Sequence, residues 1–449
     1  MRLYLPLSLA LFAVGGCASS NHNRAWVDRQ WRDRTGTTAC ASSPGRALPN
    51  GVSLDDGLSE LEVVSVALCR SPTLRAERTR IDAAFATLDE ARRPANPQLS
   101  MMGPIGVISA VATLLVPLES LWQMPSRTEA AARDADIVGE SVLMRGLDVV
   151  RDARLLHVEL GLAEERVQVR RSLAQTALEL ARIAAVRAES GDISPLEERI
   201  FAADARTSAD ALQGAETEVR MASARLAATL ALDAPTEAVR AVFAADVTAL
   251  PSLGALLGFA RDARPDARAS ELSIAAAAAR ARWERTRIVN LSALVETQWN
   301  QPAGPALRLG GRVDLPLFNQ NQGGIGRADA EVERAAAMNE QLARTVVMEV
   351  TLAHARFEQA ARSRRTFENE VMRSLDGALD AARRGFESGD QPYSVVLDVL
   401  RRVAEAQLRK AEIVAEQRRA LCELERAIGA RLDRAPQVAA DARTERGGA

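Results

Sequence analysis

An internal repeat with a period of nearly 200 residues is the feature that most constrains the fold. Four anchors recur in the same order in both halves of the 449-residue chain, at separations of 193 to 199 residues. They pair Pro72 with Pro265, Pro117-Leu118 with Pro316-Leu317, His157 with His354, and Glu189-Ser190-Gly191-Asp192 with Glu387-Ser388-Gly389-Asp390. A long repeat of this kind predicts one architecture built twice. We place the two copies at residues 54–250 and 251–435.

Each copy is predicted to contain one very long helix followed by a helix that returns. The 27 Gly and 18 Pro residues are clustered, so two long stretches, at about 129–188 and 326–386, contain few of them. Apolar residues step by threes and fours along these stretches, the spacing of a helical packing seam. At 1.5 Å per residue, such a helix reaches roughly 90 Å. Helices of this length indicate an elongated α-helical assembly rather than one compact core.

The other helices are predicted from the same periodicity. Each copy begins with a short helix, at about 58–69 and 252–263, and a second helix follows at about 73–92 and 266–287. The returning helices are predicted at about 196–231 and 393–431. Aromatic residues make up only 4% of the chain, a composition suited to helices that pack through small side chains. The chain is therefore predicted to be mainly α-helical.

Each copy also has an extended segment, at about 97–118 and 289–317. From Ala306 to Leu315 apolar and polar residues alternate strictly, and charge occurs on one side only. This pattern predicts a strand with one apolar face, as in a soluble sheet or a transmembrane barrel. Two strands per copy are too few to close a barrel, and open sheet edges are not tolerated in lipid. A membrane barrel would therefore need several chains.

The first extended segment contains an uncharged apolar run at residues 101–118 that could be read as a membrane helix. Gly103, Pro104 and Gly106 interrupt this run, and the matching segment of the second copy alternates clearly. We therefore predict a short β-hairpin here.

Residues 1–16 are predicted to be an export signal, because Arg2 precedes an apolar run that ends in small residues. The sequence Val14-Gly15-Gly16-Cys17 resembles a bacterial lipobox, in which the cysteine receives a lipid. An ordinary signal peptide with a chance cysteine is the alternative. Residues 17–53 are accordingly predicted to be a lipid-anchored segment at the outer membrane. At the other end, residues 436–449 are predicted to be a flexible tail.

The remaining cysteines, Cys40, Cys69 and Cys422, are odd in number and scattered. They fit neither a disulfide framework nor a zinc site. We interpret them as structural or incidental, and a bridge between Cys69 and Cys422 stays open.

Several classes of function are disfavoured by the sequence. The 57 basic and 59 acidic residues are interleaved, so nucleic acid is a poor candidate partner. No nucleophile elbow, phosphate loop or metal-binding helix motif is present, which argues against an enzyme, a catalytic site and a cofactor. His157 and His354 occupy equivalent repeat positions, which the duplication itself explains, so no metal site is predicted.

Several motifs in a fixed order resemble the TolC-type outer membrane factor family over residues 54–432. They are Val66-Ala67-Leu68-Cys69-Arg70-Ser71-Pro72-Thr73-Leu74, Asp314-Leu315-Pro316-Leu317-Phe318, the two Gly-Asp turns, and Val396-Leu397-Asp398-Val399-Leu400. Asn96-Pro97 and the run from Phe318 to Ile325 look most like the heavy-metal, CzcC-like branch. The short first hairpin, with Trp122-Gln123-Met124-Pro125, departs from that branch.

This resemblance implies a homotrimer with a 12-stranded transmembrane β-barrel continued by a 12-helix periplasmic α-barrel. It implies a periplasmic adaptor protein and an inner-membrane resistance-nodulation-division pump as partners. The function would be passive conduction of substrate, heavy-metal cations in this branch, through an outer membrane channel. Drug or solvent efflux and a type I secretion duct are the alternatives within the family. A periplasmic adaptor or a structural coiled-coil lipoprotein is the alternative of a different class.

The resemblance also selects site residues. Gly191, Asp192, Gly389 and Asp390 form the tip turns, which would contact the adaptor; the alternative is that these glycines only reverse the chain. Asp398 would be an aperture carboxylate, and Glu197 holds a similar place in the first copy. Solvated helical carboxylates are the alternative interpretation of both.

Overall fold

The computed structural model describes residues 19–37, 48–49, 51–54, 56–103, 110–232, 239–243, 249–300, 304–388 and 390–447. Cys17 and Gly389 therefore lie outside the described residues. The chain divides into two compact units. The sheet unit contains residues up to 23, 80–140 and 268–340, and the helical unit contains residues 24–79, 141–267 and 341–449.

The elements follow one another in the duplicated order that the sequence predicts. The first copy contains β1 (Leu58–Ser59), α2 (Glu60–Arg70), α3 (Pro72–Ala91), β2 (Gln98–Met102), β3 (Ala110–Pro117), α4 (Ser120–Glu189) and α5 (Pro195–Thr229), after an N-terminal helix α1 (Arg24–Thr35). The second contains β4 (Ala241–Val242), α6 (Leu253–Ala263), α7 (Pro265–Thr286), β5 (Asn290–Asn300), β6 (Gly304–Asp314), α8 (Gln322–Thr366), a π-helical segment (Phe367–Met372), α9 (Arg373–Glu387), α10 (Tyr393–Ile428) and α11 (Ala435–Gly447).

Local sequence signals explain where several helices begin and end. Ser59 caps α2, and its backbone N–H is in turn bonded to the Glu62 carboxylate at 2.8 Å, a capping box. The same reciprocal arrangement opens α5 at Ser194 and Glu197, followed by Pro195 in the first turn. Gly429 ends α10 with φ of +82°, the left-handed conformation that glycine adopts without strain.

The start of α4 differs from the expectation. The sequence predicts the long helix from about residue 129, yet α4 begins at Ser120 and includes Pro125. Pro125 lies in the second turn, where its missing N–H removes one hydrogen bond of a 70-residue helix. The Ser120 hydroxyl donates to Pro117 O at 3.0 Å, which supports this early start.

The expectation of a flexible tail at residues 436–449 is wrong for most of that segment, because α11 covers Ala435–Gly447. Val438 and Ala439 are buried, and Val438 joins the apolar cluster that α6, α8 and α10 form in the helical unit. Arg443 adds a 2.6 Å hydrogen bond to Asp262 at the end of α6. Apolar burial, rather than strong local periodicity, holds this helix in place.

The core of the helical unit combines small apolar residues with buried ion pairs. Arg154 is 5% exposed and pairs with Glu425 and Glu60. Arg264 donates to Asp266 and Glu349, each at 2.6 Å. Because a buried charge without a partner is costly, these pairs fix which helices can be neighbours. Among the described residues, no helix is long and apolar enough to cross a membrane.

Helix α1 packs onto α4 within the helical unit. Trp31 is fully buried, and its indole N–H donates to Leu143 O at 3.1 Å. Gly146 provides the space for the indole, since a Cβ there would lie 2.6 Å from Trp31 Cζ2 and closer still to two other ring atoms. At the other end of α1, Arg34 donates to Gly429 O at 3.0 Å and so caps α10.

The cysteines correct one open expectation. Cys69 is disulfide-bonded, whereas Cys422 is a buried free thiol. The alternative of a disulfide between Cys69 and Cys422 is therefore wrong. Burial raises the pKa of Cys422 to about 12, so this thiol stays protonated at neutral pH.

Candidate functional site: the two-faced sheet and the helical turns

Four strands form one antiparallel sheet in the sheet unit, in the order β2-β3-β5-β6. The central pairing joins β3 of the first copy to β5 of the second, from Ala110 opposite Trp299 to Pro117 opposite Ser292. Strands β2 and β6 each have a single partner within the part of the chain that the structure describes. The sheet therefore has two unpaired edges. The sequence predicts the number of strands but not which of them lie at the edges.

Cross-strand partners lie on the same side of a sheet, so the register assigns each residue to a face. One row runs Leu99, Leu114, Val295 and Leu309 across the four strands, and the next row runs Ser100, Thr113, Glu296 and Arg308. Extending these rows gives a face without a charged residue, formed by Leu99, Met101, Ala110, Ala112, Leu114, Val116, Leu291, Ala293, Val295, Thr297, Trp299, Leu307, Leu309, Gly311 and Val313. We call it the apolar face.

All charged residues of the sheet lie on the opposite, polar face. Arg308 and Glu296 are cross-strand partners whose Nη1 and Oε1 atoms lie 3.6 Å apart. Arg312 Nε lies 3.6 Å from Asp314 Oδ1 on the same strand. The apolar face is nevertheless exposed in the single chain: the side chain of Leu309 is 78% exposed and that of Met101 is 72% exposed. Such an exposed apolar surface marks a contact with lipid or protein.

The first tip turn follows the conformation that the sequence predicts. Gly191 has φ of +82°, and Asp192 N donates to Arg187 O at 2.8 Å, which closes the end of α4. The Ser190 hydroxyl donates to the Asp192 carboxylate at 3.2 Å. All of these residues are on the surface.

The second tip turn repeats this chemistry. The Ser388 hydroxyl donates to the Asp390 carboxylate at 2.8 Å, and Asp390 N donates to Gly385 O at 2.8 Å. Gly389, between them, lies outside the described residues. The two copies thus share a serine-to-aspartate hydrogen bond across the turn.

Both expected aperture carboxylates have local partners. Asp398 accepts from Arg402 Nε at 2.8 Å, one helical turn further on, and both side chains are exposed. Glu197 accepts from the Ser194 backbone N–H at 2.8 Å, and the bonds from Ser194 hold the pKa of Glu197 below its ordinary value. Glu197 therefore caps α5, a role readable from the Ser-x-x-Glu spacing that the sequence analysis missed.

The two histidines at equivalent repeat positions have different surroundings. His157 is fully buried, with Nε2 2.8 Å from Leu58 O and its ring 4.6 Å from that of Phe243. Burial lowers the pKa of His157, so the ring is neutral at neutral pH. His354 is partly exposed, with Nε2 3.8 Å from the Glu358 carboxylate. Throughout the described ranges, no group of three or more His, Cys, Asp or Glu side chains is arranged to hold a metal ion.

A third histidine, His22, contacts two carboxylates of α4, and the sequence analysis did not predict these contacts. Its Nδ1 lies 2.8 Å from Asp136 and its Nε2 3.4 Å from Glu140, within the sheet unit. Burial alone lowers the pKa of His22, but hydrogen bonds and charge from both carboxylates raise it to about 9. Ser20 adds a 2.6 Å hydrogen bond to Asp136. These contacts hold the described residues nearest to Cys17, the predicted lipid-attachment site.

Two solved structures of membrane proteins are similar to this chain. A membrane protein of Pseudomonas aeruginosa superposes with a TM-score of 0.70 at 18% identity, over 88% of this chain and 100% of that one. The outer membrane protein VceC of Vibrio cholerae superposes with a TM-score of 0.68 at 17% identity, over 83% of this chain and 96% of that one. The fold is therefore TolC-like, and the prediction of a mainly helical fold with a small sheet is confirmed.

The sequence comparison narrows this class. Residues 256–430 match the family model of the outer membrane efflux proteins. The cobalt-zinc-cadmium resistance protein CzcC of Cupriavidus metallidurans is 27% identical over 444 residues, which cover 95% of this chain and 99% of that protein. The chain is therefore similar to the outer membrane efflux proteins over residues 256–430, and to CzcC over almost its whole length. The predicted resemblance, including its CzcC-like branch, is confirmed, and so is the prediction of an efflux protein rather than an enzyme.

Proposed function

We propose that the protein is the outer membrane channel of a tripartite efflux system and passively conducts heavy-metal cations out of the cell. The observation that carries this proposal is the four-stranded sheet with one charge-free face and two unpaired edges. An apolar face suits contact with lipid, and a polar face suits a water-filled lumen.

The strand dimensions support a membrane barrel. Strands β5 and β6 contain 11 residues each, and a tilted strand of about 9–11 residues crosses a bilayer. From Leu291 to Trp299 the apolar face extends roughly 27 Å along the strand, at about 3.4 Å per residue. Trp299 marks one end of β5, where an aromatic residue suits the membrane interface.

The unpaired edges imply several copies. In lipid, the exposed N–H and C=O groups of β2 and β6 must be paired, and closure with further copies pairs all of them. Three copies of the four-stranded sheet supply twelve strands, the number that the family resemblance implies. We therefore propose a homotrimer that is assembled through its sheet edges.

The metal substrate is proposed from the relative named for cobalt, zinc and cadmium resistance, which matches almost the whole chain. The tip turns with Gly191, Asp192, Gly389 and Asp390 are proposed to bind a periplasmic adaptor, which links the channel to a resistance-nodulation-division pump. The exposed turns and their shared serine-to-aspartate hydrogen bond support an equivalent role for both copies.

Asp398 and Glu197 are proposed to line the channel aperture. Arg402 compensates the charge of Asp398, whereas Glu197 is hydrogen-bonded to the neutral Ser194 and keeps its negative charge. Cys17 is proposed to carry a lipid that adds a second attachment to the outer membrane.

Deletion of the gene in its host tests the substrate class. We expect growth to fail at lower cobalt, zinc or cadmium concentrations, with unchanged tolerance of drugs and solvents. Complementation with the full chain should restore growth. Sensitivity to drugs alone would favour drug or solvent efflux, and loss of an exported polypeptide would favour a type I secretion duct. A purified protein that is a detergent-independent soluble monomer would contradict the channel itself.

A further inference from the structure

The two hairpins of the sheet differ in charge on the polar face. The polar face of β2 and β3 carries only neutral residues: Gln98, Ser100, Met102, Val111, Thr113 and Leu115. The polar face of β5 and β6 carries Glu296, Arg308, Arg312 and Asp314. All of the sheet's charge therefore belongs to the second hairpin, although both hairpins arose from one repeat.

The four charged residues form two matched pairs. Glu296 and Arg308 are direct cross-strand partners near the middle of the hairpin, 3.6 Å apart. Arg312 and Asp314 are two residues apart on β6, at its helix-proximal end, and their charged groups are also 3.6 Å apart. Each arginine thus has its own carboxylate on the same face, and the hairpin has no net charge there.

We propose that Glu296 and Asp314 determine the ion selectivity of the β-barrel, because they cancel the charge of Arg308 and Arg312 and so allow cations to pass. This inference rests on the proposed function, in which the polar face lines the lumen. Without the two carboxylates, each copy would present two uncompensated arginines, and a closed trimer would present six. A ring of like charges in a narrow pore excludes ions of the same sign.

The arrangement explains how arginines can line a path for cations. Both arginine side chains are about two-thirds exposed, so solvent reaches them and their pairing is the main control of the local potential. A charge acts over about 10 Å at 0.1 M salt. Two pairs separated by four residues along β6 lie roughly 14 Å apart, so each controls its own level of the lumen.

Single-channel recording from full-length protein in planar lipid bilayers tests this proposal, with a KCl gradient across the membrane. Glu296→Gln should move the reversal potential toward that of chloride. Three unit charges acting at about 10 Å through water and 0.1 M salt change the cation-to-anion permeability ratio about fivefold. Arg308→Gln should change the ratio in the opposite direction, and the double variant should return to the wild-type value.

A second pair and a surface control make the test independent of one substitution. Asp314→Asn should shift the ratio in the same direction as Glu296→Gln, even if the latter fails to assemble. Glu331→Gln removes one carboxylate from α8, where Glu331 pairs with Arg334 at 3.4 Å, and should leave the ratio unchanged. Channels whose ratio is the same in all variants would overturn the inference and leave the proposed function standing. A wild-type protein that forms no channel would overturn the proposed function.

Discussion

Gly146 offers the sharpest test of how the N-terminal helix is held. In Gly146→Ala, the new methyl group would overlap the indole of Trp31, whose three nearest ring atoms all lie within 2.6 Å of the Cβ position. The indole is fully buried, so it cannot rotate into solvent without exposing apolar surface. The substitution therefore displaces Trp31 and breaks its 3.1 Å hydrogen bond to Leu143 O.

Two opposing effects set the magnitude. Replacing a mid-helix glycine with alanine stabilises a helix by about 1 kcal/mol. Overpacking a buried site costs about 1–3 kcal/mol, and losing a buried hydrogen bond adds about 1 kcal/mol or more. We therefore expect Gly146→Ala to lower the free energy of unfolding by about 1–3 kcal/mol.

Thermal unfolding in detergent and limited trypsin digestion measure this effect. Gly214→Ala in α5 is the matched control, because nothing lies within 4 Å of its Cβ position, and it should be as stable as wild type or slightly more so. Trypsin should release α1 from the Gly146 variant faster than from the control. Equal unfolding temperatures and equal digestion rates for the two variants would refute this account of the packing of α1.

Three further predictions follow from the described contacts. The raised pKa of His22, about 9, implies that its contribution to stability is complete below its ordinary value of 6.5 and is lost as pH rises through about 9; protease sensitivity of the N-terminal segment should increase over that window in wild type but not in His22→Gln. Ser194→Ala removes the cap of α5 and should cost about 1 kcal/mol locally, seen as faster amide exchange at Glu197 and refuted by unchanged exchange. Cys422 should resist maleimide in the folded protein and react on unfolding, so rapid labelling of native protein would contradict its burial.

Much of the architecture was readable from local patterns. The repeat, the long helices and the strand β6 depend on periodicity within a single segment, so the sequence predicts them and the structure bears out their order. The Gly-Asp turns belong to the same class, because the positive φ of Gly191 reflects a local requirement of chain reversal.

Features that depend on distant partners were not readable. The sequences of β3 and β5 do not indicate that these strands pair, and the sequence of the second hairpin does not indicate that Glu296 lies opposite Arg308. The two-residue parallel ladder between Leu58–Ser59 and Ala241–Val242 is too short to leave a pattern. The glycine that accommodates Trp31 is likewise visible only once both segments are placed.

The internal repeat also affects the symmetry of the proposed assembly. A protein made of one copy alone would contribute a single hairpin, so six such chains would be needed to supply the twelve strands of the proposed homotrimer. Fusion turns equivalent neighbours into two distinct classes, so each class is free to specialise. The charges confined to the β5–β6 hairpin and the π-helical segment confined to the second long helix are two outcomes of that freedom. In the proposed homotrimer, neutral and charged hairpins would therefore alternate around the barrel wall.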